Sequence, residues 1–63
     1  MRTRRFPSRH EAERYLAEQG FEFLGAPSRW RKTLDGHACY ADVVVQNGAA
    51  VVVFIESNDG LPP

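Results

Sequence analysis

Between Ser8 and Gln19 the apolar residues Ala12, Tyr15 and Leu16 recur at helical spacing, with Gln19 filling the next place on the same face. One narrow apolar stripe of this kind predicts an amphipathic helix over about residues 9–19. Ser8 followed by Glu11 forms a capping box at its start. Glu11 and Glu13 suit the positive end of the helix dipole, and Arg14 stands four residues before Glu18. Gly20 is the natural residue past the helix end, from which Phe21 can fold back on Leu16.

After Gly20 the period changes from three or four to two. Residues 21–24, 29–34, 37–46 and 49–56 read as strands, separated by the connector 25–28 and by the hairpin signals Asp35–Gly36 and Asn47–Gly48. Two-residue loops fix the registers. The first opposes Leu34 with His37, Lys32 with Cys39 and Trp30 with Ala41. The second opposes Gln46 with Ala49, Val43 with Val52 and Ala41 with Phe54. Opposed residues share a face, so Trp30, Cys39, Ala41, Val43, Val52 and Phe54 form a core face for Ala12, Tyr15 and Leu16 to close. Lys32 shares that parity and is expected near the sheet end, with its amine turned outward. The fold class expected is α+β: one N-terminal helix on a small antiparallel sheet of three to four strands, in the order α-β-β-β-β. Residues 1–7 are expected as a basic arm, 8–56 as a single domain and 57–63 as a flexible tail.

The other face carries Arg29, Arg31, Tyr40, Asp42, Val44, Val51, Val53 and Ile55. Arg29 opposes Asp42 as an expected ion pair, and Arg31 opposes Tyr40 as an expected cation–π contact. A half-exposed antiparallel sheet alternates apolar with polar positions. The run Ala49 to Ile55 does not alternate, and one helix covers only one face. Val44, Val51, Val53, Ile55 and Tyr40 are therefore the expected protein interface, for a homodimer or another protein partner. Stacked sheets and pairing along an exposed fourth-strand edge are the two routes. Cover of the strip by the first strand or the N-terminal arm is the monomeric alternative.

Composition narrows the class. The chain has 63 residues, so it is one domain with a thin core. Its longest apolar run, seven residues, is far short of a membrane span, and no membrane partner is expected. The single cysteine, Cys39, excludes an intrachain disulfide and suits a reducing, cytoplasmic setting. Net charge is zero, but all eight Lys and Arg lie in residues 1–32, and residues 33–63 hold four acids and no Lys or Arg.

That asymmetry supports an alternative: weak RNA or DNA binding through Arg2, Arg4, Arg5, Arg29 and Arg31, with Trp30 as a stacking platform. Enzymatic readings have less behind them. His10 falls in the first helical turn, and His37 follows a turn glycine. His37 and Cys39 share a strand face, but Cys–His chemistry also needs an oriented base and an oxyanion site. His37, Cys39 and Glu56 share a parity yet fall short of a convincing metal set. No cofactor is expected, and a binding protein is expected rather than an enzyme.

The opening order of helix, Gly20–Phe21 and strands resembles the start of the HicA-type toxins, small relatives of double-stranded-RNA-binding domains that cleave RNA with a strand histidine. The likeness covers about the first thirty residues. Where that family places its histidine after a Gly-Ser pair, this chain reads Ser28–Arg29–Trp30, and the family's closing helix is missing. The resemblance implies an RNA-facing sheet and does not carry the nuclease activity.

Overall fold

The computed structural model describes residues 2–56. The chain runs β1 (Arg2–Phe6), α1 (Arg9–Glu18), β2 (Glu22–Gly25), β3 (Arg29–Leu34), β4 (His37–Gln46) and β5 (Ala49–Glu56). The five strands form one antiparallel sheet in the order β1-β5-β4-β3-β2. The class is α+β, as expected. The element count and order differ: the sheet has five strands rather than three to four, and a strand precedes the helix. Residues 2–6, expected as an arm, pair with β5 from Arg2–Phe54 to Phe6–Ala50. The expected tail, 57–63, lies outside the described residues.

A segment reading Arg-Thr-Arg-Arg-Phe becomes a strand because its arginines find rings. Arg2 and Arg4 take the parity of the helix-covered face. The Arg2 guanidinium carbon lies 5.8 Å from the Phe54 ring centroid, and that of Arg4 lies 4.6 Å from Tyr15 and 5.4 Å from Phe6. A cation over an aromatic face contributes about 0.5–1 kcal/mol at an exposed site. Phe6 and Tyr15 themselves pack as a tilted pair, with ring centroids 5.2 Å apart.

Pro7 has no N–H to continue the ladder, and Ser8 then caps α1, its Oγ accepting from the Glu11 N–H at 3.2 Å. The helix ends in a Schellman motif. The Phe21 N–H donates to the Leu16 carbonyl at 3.0 Å and the Gly20 N–H to Ala17 at 3.1 Å. Gly20 supplies the required φ of +93°. Lys32 completes this terminus: its amine donates to the Gln19 carbonyl at 3.0 Å and sits 5.0 Å from the Phe21 ring centroid. The outward amine is thus the partner of the helix end.

Both hairpins have the expected registers, Leu34–His37 through Arg29–Asp42 and Gln46–Ala49 through Cys39–Glu56. Asp35, Gly36, Asn47 and Gly48 all have positive φ, the mark of the two-residue turn whose twist matches a hairpin. β1 and β2 occupy opposite edges of the sheet, so α1 crosses one face between them. Beneath it Ala12, Leu16, Ala41, Ala50 and Val52 are fully buried, with Trp30 and Val43 nearly so. Three of these are alanines. Their small side chains let the helix backbone approach the sheet closely.

One polar cluster fastens the helix to the link before β3. Ser28 is 2% exposed. Its Oγ accepts from Trp30 Nε1 at 2.9 Å and donates to Glu13 Oε2 at 2.8 Å. Arg9 donates to the same Glu13 oxygen at 2.9 Å and to the Pro27 carbonyl at 2.8 Å. Burial pushes the Glu13 carboxyl up, but the hydrogen bonds from Arg9 and Ser28 outweigh it and hold the group below its usual range. Among the described residues no helix is long and apolar enough to cross a membrane.

Candidate interaction face

The face opposite α1 is built by β1, β5, β4 and β3 in rows. Across the centre run Thr3, Val53, Asp42 and Arg29; on one side run Arg5, Val51 and Val44; on the other run Ile55, Tyr40 and Arg31. No described element lies over these rows. Val44 is 40% exposed, and Val51, Val53, Ile55 and Tyr40 are half-buried by their neighbours in the sheet. The five expected interface residues are therefore contiguous on one uncovered face.

The expected edge geometry needs correction. β5 is not an edge strand, because β1 pairs with it along five positions. Pairing of bare β5 edges is closed as a route to a dimer. The N-terminal segment also does not fold over the aliphatic strip; it joins the sheet beside it and extends the face.

The charges on this face are arranged around the strip. Arg29 donates to Asp42 through Nε to Oδ1 at 2.8 Å and Nη2 to Oδ2 at 2.9 Å. This two-pronged contact holds the Asp42 carboxyl below its usual range against the opposing effect of burial, and it raises Arg29. Arg5 and Arg31 flank the strip from opposite sides, and among the described residues neither has an ion-pair partner. Arg31 opposes Tyr40 in register, but the cations found over rings are Arg2, Arg4 and Lys32. Tyr40 stands beside Arg31 without that contact.

The nucleic-acid candidates are not brought together. Arg2 and Arg4 lie on the helix face, while Arg5, Arg29 and Arg31 lie on the open one. Trp30 is 8% exposed, its indole N–H engaged by Ser28 and Phe23 at its edge, 5.3 Å between ring centroids. A buried ring cannot serve as a stacking platform, so Trp30 is a core residue. Sequence reasoning missed the partner that makes it one, Ser28, although a serine two residues before a core tryptophan on a strand is the available signal.

The enzymatic candidates are also scattered. His10 is exposed on α1 and His37 is exposed at the start of β4. Cys39 is a half-buried free thiol. It lines an open groove of about 260 Å³ beyond the end of α1, together with Tyr15, Phe21, Lys32 and Phe54, and His37 is not in that lining. Among the described residues no three His, Cys, Asp or Glu side chains converge as metal ligands. No family model, no curated protein and no solved structure matches this chain.

Proposed function

We propose that the protein works by binding, and that its open sheet face, centred on Val44, Val51, Val53, Ile55 and Tyr40, is a self-association surface. One observation carries the reading: among the described residues five strands are roofed by one ten-residue helix, and the aliphatic strip lies on the side that helix does not reach. Five strands about 4.8 Å apart give a face roughly 20 Å across, in a molecule with extents of 36 × 20 × 19 Å. Such a face is of the order of the ~800 Å² that each partner contributes to a standard interface.

Charge placement fits the same reading. Stable interfaces have an apolar centre and a polar, hydrated rim. Here the charges nearest the centre, Arg29 and Asp42, satisfy one another, so covering them leaves no unpaired ion. Arg5 and Arg31 lie further out, where they keep their water. Two such faces stacked about 10 Å apart make a two-fold dimer, the commonest closed assembly.

The test is a dilution series followed by methyl NMR. Resonances of Val44, Val51 and Val53 shift with concentration in the micromolar to millimolar range, and those of Val43 and Val52, beneath the helix, do not. Uniform shifts, or none, would remove the reading. The nucleic-acid alternative loses its stacking residue and keeps only Arg5, Arg29 and Arg31 on this face, with Arg29 already held by Asp42.

A further inference from the structure

We propose that the outer edge of β1 accepts an acidic, extended segment of a partner protein as a sixth strand. The sheet has two edges, and they differ. β2 is four residues long and breaks register between Phe23 and Gly25, with Gly25 at a φ of +133°. A bulged edge of that kind twists away and is a poor template for pairing. β1 is unbroken: its five residues pair one for one with β5, and four of the five are exposed. Among the described residues its outer side forms no backbone hydrogen bond. It presents a straight row of unused donors and acceptors.

The side chains on that row decide what can pair there. Arg2 and Arg4 project on the helix face and Arg5 on the open face, and among the described residues none has a carboxylate partner. Two copies of β1 set side by side would oppose arginine to arginine, which blocks the edge against the chain's own copies. An incoming strand with Glu or Asp at alternate positions meets the reverse situation. Its carboxylates share one face and come opposite Arg2 and Arg4, with Cβ atoms of opposed residues about 4.5–5.5 Å apart. The cations are also held in place. Arg4 lies over Tyr15 and donates from Nη1 to the Tyr15 hydroxyl at 3.3 Å, while Arg2 lies over Phe54. Less side-chain freedom is then lost when a carboxylate arrives. A nucleic-acid strand matches the charge but lacks the alternating N–H and C=O groups that this edge leaves unpaired. The edge is a different surface from the aliphatic face, so either reading can fail without the other.

The probe is a fluorescein-labelled peptide of about seven residues alternating Glu and Val, titrated with the full chain and read by anisotropy and by backbone amide shifts. Binding is expected at low salt, weakening with ionic strength, with amide shifts centred on residues 2–6. Arg2→Gln, which removes one of the two cations on the face the probe's carboxylates share, weakens binding a few-fold, whereas Arg5→Gln, on the other face, weakens it less. Methylating the backbone nitrogens at alternate positions of the probe abolishes binding in one of the two phases, because only one phase faces β1. Failure of the acidic peptide to bind overturns the proposal. So does equal binding of a Lys–Val peptide, indifference to N-methylation in both phases, or tighter binding of single-stranded RNA than of the peptide.

Discussion

Val52 and Val53 are adjacent, chemically identical and on the same strand, yet Val52 is fully buried and Val53 is only half covered. The difference is the side of the sheet on which each falls. The helix face is closed at its centre, where Leu16 and Val52 are fully buried, while Phe23, Leu34 and Val45 stay more than half exposed beyond the reach of the helix. Arg2, Arg4 and Lys32 lie over Phe54, Tyr15 and Phe21 around its margin, and the buried hydroxyl of Ser28 has both its bonds. The open face shows the opposite mismatch, with aliphatic side chains at its centre and arginines around them. The contrast teaches that exposure alone does not mark an interaction surface in so small a protein. The informative sign is an apolar centre that none of the described elements closes.

The largest effect expected is on the closed side. Leu16→Ala removes a fully buried side chain and should cost about 2–5 kcal/mol, a large share of the stability of a domain this size. Val53→Ala should cost well under half as much when measured in dilute monomer, and comparable urea midpoints for the two variants would break the contrast. Next comes Ser28→Ala, which strands the Trp30 N–H and takes a donor from Glu13. A loss of about 1–3 kcal/mol is expected, with a change in Trp30 fluorescence. Acid should act more gently. Glu13 and Asp42 are both held below their usual values. Their contribution is therefore complete above the unfolded-state values, near pH 4, and is lost as pH falls through the lower folded values. Urea midpoints should be flat from pH 7 to about 5 and fall below about pH 4, and Glu13→Gln should flatten part of that fall. A midpoint that rises on acidification would show that these contacts do not hold the fold.

The helix, both hairpins and their registers were legible because each rests on local chemistry. Ser8 and Gly20 mark the helix ends, and Asp35–Gly36 and Asn47–Gly48 leave little freedom in the pairing that follows. From the registers alone, the two faces could be assigned residue by residue, including the Arg29–Asp42 pair. β1 was not legible. A segment with three arginines in five residues carries no apolar alternation, and its reason for being a strand lies in rings more than ten residues away: Tyr15 on the helix and Phe54 on β5. The alternation of Arg2, Arg4 and Phe6 was the available hint, together with a β5 too apolar to be left as an edge. Trp30 was placed in the core by parity; Ser28, which accepts its N–H, stands two residues away, but Glu13, which accepts in turn from Ser28, lies on the helix and could not be joined to them by spacing. For the candidate site, the strip itself was readable in advance. That β1 lies beside the strip and widens the face was not.

Sedimentation equilibrium of the wild-type chain and Val53→Glu, from about 5 to 500 μM, decides whether the open sheet face self-associates. A carboxylate at Val53, half covered and opposite Asp42, costs the monomer far less than it costs a dry interface, where it cannot keep its water. The wild-type mass should rise with concentration from 7.1 kDa toward twice that value, while Val53→Glu stays folded and monomeric throughout. A wild-type chain that remains at the monomer mass across the whole range, or a folded Val53→Glu that associates equally well, would contradict it.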